Sequence, residues 1–353
     1  MALPAIYTRN PILLRSDEAL LVACERASVS AFTLIMDVTD IEALGLRLAD
    51  EVSRVVVGMD RELKAMIVAL MAGGHVLLEG PPGTAKTLLV RTLSVALGGV
   101  YGRVQFTPDL MPSDVTGTSV FLSKEGRFEF REGPIFAQLL LCDEINRAPA
   151  KTQAALLEAM QEGAVTIDGG RHVLPRPFTV FATQNPLEHE GTYPLPEAQL
   201  DRFLFQVLVR YPEAQTEVLL LQTAHERDPH ATPDQLGVRP VCTAADLLEM
   251  RECVRRVTVR DDLCAYVVEL LRMTRSHSAL AGGASPRAGV MLIQGAKALA
   301  ALAGRGYVTT DDLKTVSLPA LRHRIVLDPA EELAGTTADS VLQGILDQVE
   351  VPL

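Results

Sequence analysis

The sequence predicts an α/β fold: a five-stranded parallel sheet sandwiched between helices, followed by a C-terminal part built only of helices. Three observations predict it. Between His75 and Val209, short apolar runs alternate with helical periods, the pattern of a parallel sheet covered on both faces. A Gly-rich loop, Gly80–Thr87, follows the first of these runs and opens a helix. After Tyr211-Pro212 the strand pattern stops and only helical Leu/Val/Ala spacing continues.

In chain order, residues 1–40 carry Pro4 and Pro11 and no sustained period, so they read as a poorly ordered extension. Met36 opens a stretch that suits a start. Helical spacing begins at Ile41 and runs through Leu44, Leu46, Leu48 and Val52. A second helix is expected from Asp60 as N-cap, with Leu63, Met66, Ile67 and Leu70 on one face and Gly73-Gly74 as its stop. The expected sheet strands are His75–Glu79, Val104–Phe106, Leu139–Cys142, Phe178–Thr183 and Leu204–Val209. Helices are expected over Thr84–Leu97 and Lys151–Gln161. Two hairpins, Ser119–Arg131 and Val165–Leu174, interrupt the rhythm with alternating flanks around glycine turns. The bundle is expected from Glu213–His225, Ala244–Val257, Leu263–Arg275, Pro286–Ala303 and Asp311–His323. Ser285-Pro286 is a helix start, with Ser as cap and Pro in the first turn. The division is a core over 41–211 and a helical domain over 212–353.

Composition bounds the function. Over 353 residues, 33 Lys and Arg against 44 Asp and Glu give a net charge of −11, which weighs against a protein that mainly grips phosphate backbones. No Trp and 5% aromatic residues weigh against stacking platforms for single strands. The 5 cysteines form no CxxC pair, so neither a disulfide framework nor a structural zinc site is expected, and reduced thiols in the cytosol are the plain reading. No apolar run approaches the ~20 residues that span a bilayer.

The loop Gly80-Pro81-Pro82-Gly83-Thr84-Ala85-Lys86-Thr87 has the context of a phosphate-binding loop, or P-loop. Backbone N–H groups and a helix N-terminus surround phosphates, Lys86 reaches the terminal ones, and Thr87 offers its hydroxyl to Mg²⁺. Ala85 departs from the pattern, which has Gly before Lys. Asp143-Glu144 follows a fully apolar strand, at the strand end where open α/β sheets bind ligands. Asp143 is the expected metal residue and Glu144 the expected general base. Asn185, in Ala182-Thr-Gln-Asn-Pro186, can position an attacking water, or simply turn the chain before Pro186. Arg202 and Arg287 read either as surface ion-pair partners or as planar cations for a γ-phosphate.

Gln105–Leu110, Pro112–Gly117, Asp143-Glu-Ile-Asn-Arg-Ala-Pro149, Gln153–Met160, Ala182–Pro186, Gly191–Phe203 and Gly283–Ala288 together resemble the MoxR family of AAA+ ATPases, over about residues 41–330. The resemblance implies an AAA+ core with a helical lid, ATP and Mg²⁺ as ligands, and assembly as a hexameric ring. It implies Gly80–Thr87 as Walker A, Leu139–Glu144 as Walker B, Asn185 as sensor 1, Arg202 as arginine finger and Arg287 as sensor 2. Val57-Gly58 match the segment lining the adenine. The hairpins match elements that face a pore or a client, against the plainer reading of sheet-edge turns. Such proteins remodel client complexes in a chaperone-like way, frequently with a von Willebrand factor A domain partner. The rivals are a nucleotide-gated scaffold with little turnover, a nucleic-acid-translocating motor and a metal-chelatase ATPase subunit. A scaffold needs the loop but neither Glu144 nor Arg202.

Overall fold

The computed structural model describes residues 36–186, 192–225, 228 and 231–352. The expected extension over 1–35 lies outside them, as does Gly191 of the quoted motif. Helix α1 (Val38–Ser53) begins before Ile41 because Asp37 caps it: its carboxylate accepts from the N–H groups of Thr39 and Asp40, and Asp40 returns the bond. Helix α2 (Asp60–Ala72) has Met59, not Asp60, at its N-cap position. Asp60 is its first helical residue, where a carboxylate favours the positive end of the helix dipole. Gly73, left-handed, ends α2 as expected.

The core follows as β1 (Val76–Glu79), α3 (Lys86–Ala96), β2 (Tyr101–Gln105), α4 (Pro112–Thr116), hairpin β3 (Gly117–Leu122) and β4 (Arg127–Glu132), then β5 (Leu139–Asp143). Next come α5 (Ala150–Glu162), hairpin β6 (Ala164–Ile167) and β7 (Gly170–Val173), β8 (Thr179–Gln184), α6 (Glu197–Leu200) and β9 (Phe205–Leu208). The helical part is α7 (Ala214–His225), α8 (Ala244–Arg256), α9 (Asp261–Ser276), β10 (Leu280–Gly282), α10 (Pro286–Leu302), α11 (Thr310–Leu321), β11 (Val326–Leu327), α12 (Pro329–Leu333) and α13 (Ala338–Gln348). The β10–β11 ribbon, α12 and α13 are additions to the sequence reading. Helix α13 had a readable signal in its Thr337 cap and its Val341, Leu342, Ile345, Leu346 spacing.

The five strands run parallel in the order β2-β5-β8-β1-β9. Every residue of β5 is buried, so its unbroken apolar run is explained by helices on both faces. Leu77, Leu140 and Val180 join Phe106, Leu156 and Phe203 in one apolar cluster. Truncating Leu140 to Ala there costs about 2–5 kcal/mol. Helix α10 packs on the sheet edge, where Gly295 lies against Phe205: a Cβ at Gly295 would sit 2.8 Å from the ring. No helix of the described residues is long and apolar enough to cross a membrane.

Candidate functional site

Strand register decides which side chains meet. Gln105 lies opposite Asp143, and Glu79 lies opposite both Gln184 and Leu208. The loops after β1, β5 and β8 therefore leave the sheet together at its carboxyl end, where such sheets bind ligands. They border a cleft of about 710 Å³, lined by residues 82–88, Asp143, Glu144, Asn185, Arg91 and Arg103 among others.

The Gly-rich loop is shaped by close approaches. A Cβ on Gly80 would sit 2.2 Å from the Val209 carbonyl oxygen, so only glycine fits. Gly83 has φ +80° and nothing within 4 Å of an added Cβ, leaving its backbone open to an approaching ligand. Ala85 is also left-handed, with φ 59°, a conformation that costs an L-residue about 1–2 kcal/mol. This is why α3 starts at Lys86 rather than Thr84. No side chain caps α3 and no acidic residue lies in its first turn, so its leading N–H groups suit an anion. The Lys86 ammonium donates to the carbonyls of Gly80 at 2.7 Å and Pro81 at 2.6 Å. Burial lowers its pKa, and the charges of Asp143 and Glu144 oppose that shift.

The two carboxylates are tied to the loop and to each other. Asp143 accepts from the Thr87 hydroxyl at 3.1 Å, from Arg103 Nε at 2.8 Å and from the Thr183 hydroxyl at 3.3 Å. Thr183 also accepts the Glu144 N–H at 2.9 Å, so one hydroxyl positions both acids. Glu144 is left-handed, with φ 56°, and its carboxylate accepts from Gln105 Nε2 at 2.9 Å and Arg147 at 2.9 Å. A strained backbone at this position fits a residue aimed by its surroundings. The Thr87 hydroxyl beside the Asp143 carboxylate is an oxygen donor pair suited to Mg²⁺, which keeps most of its waters and binds through phosphates. Among the described residues no group of three His, Cys, Asp or Glu side chains could hold a metal by itself. Asn185, buried at the end of β8, lines the same cleft.

Arg202 and Arg287 lie elsewhere. The Leu204 N–H donates to the His75 carbonyl at 2.8 Å, which puts the turn before β9 at the amino end of the sheet. Arg202, in that turn, donates to the Ala198 carbonyl at 3.2 Å and lines a separate cavity of about 300 Å³ with Glu158, Gln161 and Glu162. Arg287, in the first turn of α10, lies 3.6 Å from the Asp201 carboxylate. Val57 and Gly58 are not among the cleft-lining residues. Gly58, with φ +78°, lies against Thr216 of α7, where an added Cβ would be 2.4 Å from the methyl.

Sequence reasoning missed Arg91, Arg103, Gln105, Arg147 and Thr183 as site residues. Gln105, Arg147 and Thr183 stood inside the quoted motifs, and Arg103 shares a strand face with Gln105 by the period of two. The remaining motif positions support the site from behind. The Gln153 amide donates to the carbonyls of Ile145 at 3.1 Å and Tyr193 at 2.9 Å, pinning the turn after Glu144. The Thr152 hydroxyl donates to the Leu110 carbonyl at 2.7 Å.

Known proteins match this arrangement. The family described as ATPases associated with various cellular activities (AAA) matches residues 75–205, and the AAA lid domain matches residues 272–345. The chain is 43% identical to the Bacillus subtilis protein YeaC, itself uncharacterised, across 89% of this chain and 97% of that one. It is 43% identical to the Mycobacterium tuberculosis chaperone MoxR1, across 86% of this chain and 81% of that one. Among solved structures, a candidate ATPase from Cytophaga hutchinsonii superposes with a TM-score of 0.82 at 37% identity, covering 95% of this chain and 99% of that one.

Proposed function

The chain belongs to the MoxR family of AAA+ ATPases, and on that premise we propose that it hydrolyses ATP to ADP and phosphate within a ring of identical copies, using the free energy to remodel client proteins. The phosphates lie along Gly80–Thr87 and the start of α3. Lys86 turns from its loop carbonyls to the phosphate oxygens, exchanging neutral acceptors for charged ones. Thr87 and Asp143 would hold Mg²⁺, which would supply charge neutralisation on the phosphates. Asn185 orients a water, and Glu144 takes its proton as the water oxygen bonds to the γ-phosphorus and the bridging oxygen leaves with ADP. Gln105 and Arg147 set the direction of the Glu144 carboxylate. Arg103 holds the Asp143 carboxylate at 2.8 Å, the same oxygen donor that would serve a bound cation.

One observation supports the ring above the others. The cleft lies at the carboxyl end of the sheet, whereas Arg202 and Arg287 lie at the amino end of β9. A four-residue strand, about 13 Å at roughly 3.3 Å per residue, stands between them. An arginine acting on a γ-phosphate from that place acts on a neighbour's. The proposal extends to a hexamer, to adenine lying near Val57-Gly58, and to a von Willebrand factor A domain partner. All of these rest on the family resemblance. The two hairpins support client contact: Phe121 and Phe128 are exposed and paired at 5.1 Å, and Phe130 meets His172 at 3.9 Å to join them.

Arg202→Ala should keep ATP affinity while phosphate release drops by roughly a hundredfold or more, the effect of losing a transition-state cation. Lys86→Ala should lose nucleotide binding. Mixed together, the two should regain activity, because an intact Lys86 cleft then meets an intact Arg202. A mixture that stays inactive removes the action between copies.

A further inference from the structure

The turn that carries Arg202 is gripped by a second turn, distant in sequence. After Leu321, helix α11 tightens into a single 3₁₀ turn, Arg322–Arg324. Its three side chains all address the approach to β9. Arg322 donates to the Gln206 carbonyl at 2.9 Å while holding Asp339 at 2.8 Å. His323, buried, contacts the Phe203 carbonyl through Nε2 at 3.1 Å. Arg324 donates to the Asp201 carboxylate at 2.8 Å and to the carbonyls of Asp201 at 3.2 Å, Phe203 at 2.5 Å, Leu204 at 3.2 Å and Ala320.

Arg324 is only 2% exposed. Taking a guanidinium out of water is expensive, and an apolar residue closes a helix end more cheaply. The fork geometry explains the choice: five N–H groups in one plane bind a carboxylate and several carbonyls at once, which a lysine or a leucine cannot do. What lies between the gripped residues is informative. Asp201 and Phe203 are both held, and Arg202 is the residue between them. Arg202 donates to Ala198 through its terminal nitrogen, while its Nε is buried without a partner. Among the described residues no ion pair holds its side chain, so the backbone that carries it governs where it projects. Asp201 extends the same contact to Arg287, which lies 3.6 Å from its other oxygen.

We infer that Arg324 is a positioning residue: by fixing the backbone on both sides of Arg202 and the carboxylate shared with Arg287, it sets the direction in which Arg202 projects toward a neighbouring copy. This rests on the proposed action of Arg202 between copies. The cleft, at the opposite end of the sheet, does not depend on it.

The test uses the full chain. Arg324→Lys keeps a charge for Asp201 but loses the fork, and Arg324→Gln loses both. Each should bind a fluorescent ADP analogue within about twofold of the parent, while turnover falls about tenfold or more with KM unchanged. Arg324→Gln mixed with Lys86→Ala should regain activity, as Arg202→Ala does. Arg324→Gln mixed with Arg202→Ala should regain none, because both lack the same contribution. Nucleotide-binding Arg324 variants with normal turnover overturn the inference. So does complementation of Arg202→Ala instead of Lys86→Ala. If Arg202→Ala and Lys86→Ala do not complement each other, the action between copies has failed and this inference falls with it, a distinct result. Should burial of residue 324 make its variants fail to bind nucleotide, Asp201→Asn carries the same mixing test, with the same expected and overturning patterns.

Discussion

At the carboxyl end of the sheet, Gly80–Thr87, Asp143, Glu144 and Asn185 come from loops that follow three strands, and a single cleft gathers them. At the amino end, Arg202 and Arg287 gather around Asp201 and Arg324. The first group is self-contained: Thr87, Asp143, Thr183 and Glu144 hydrogen-bond one another within one chain. The second contains arginines set by a buried anchor, and no phosphate loop of the same chain is near them. Under the proposed function, the difference means that one chain carries two half-sites and the reaction is completed where the ends of two copies meet.

The largest expected effect breaks the first half alone. Glu144→Gln keeps the shape and the contacts to Gln105 while removing the base, so turnover should fall by about 10²–10⁴ with ADP affinity unchanged. Its amino-end arginines remain intact, so it should still complement Arg202→Ala in mixed assemblies. Phosphate-release assays on the single variants and the mixture check both statements. A Glu144→Gln chain that cannot lend its arginine would show that the two halves are not separable.

The two halves also differ in how far the sequence reveals them. The five sheet strands, both hairpins, the Gly80–Thr87 loop, Asp143, Glu144 and Asn185 were legible because each is local: an apolar run, a glycine turn, or a motif directly after a strand. Asp143 and Glu144 needed only the buried run before them. Boundaries slipped where a single backbone angle decided, as at Ala85, whose left-handed conformation delays α3 to Lys86. The amino-end cluster was not legible as a cluster. Arg202 and Arg287 stood out in their motifs, but Asp201 and Arg324 are joined only by the packing of α11 beside β9. Nothing in the spacing of Arg322-His323-Arg324 announces that one guanidinium gathers a carboxylate and four carbonyls. Likewise Arg103 and Thr183 acquire their contacts through strand register, which pattern alone does not supply.

Acid should strain the amino end, where two buried histidines lie, and more gently. His75, just ahead of β1, accepts the Val180 N–H through Nδ1, and burial pushes its pKa down to about 4, helped by the nearby Arg251 charge. His323, under the arginine cluster, is pushed well below the ordinary range by burial and by Arg324. A depressed histidine stabilises the fold fully above its unfolded value near 6.5 and loses that contribution as pH falls, because the unfolded chain binds the proton first. For His75 the shift from 6.5 to about 4 corresponds to roughly 3 kcal/mol. Denaturant unfolding of the parent should therefore weaken steadily between pH 7 and 4, and His75→Gln should flatten that slope by about this amount. An unchanged slope would place the acid sensitivity at His323 instead.

The smallest effect concerns Ala85, the one departure in the phosphate loop. Its φ of 59° places the methyl where an L-residue is strained by about 1–2 kcal/mol. Ala85→Gly removes that strain, while the unfolded chain gains the extra freedom of glycine, which returns about 0.4–1 kcal/mol. The net expectation is a stabilisation of up to about 1 kcal/mol, a rise in midpoint temperature of about 2 °C for a chain of this size. The effect should stay at the carboxyl end. Ala85→Gly should leave the complementation pattern of Arg202 and Arg324 variants untouched, since Ala85 lines the cleft and touches nothing in the amino-end cluster. Thermal melts of Ala85→Gly beside Ala85→Val sharpen the point, because a β-branched residue resists positive φ more strongly than Ala and should lower the midpoint. Equal midpoints for Gly, Ala and Val would mean that the loop relaxes freely at this position and stores no strain beside Lys86.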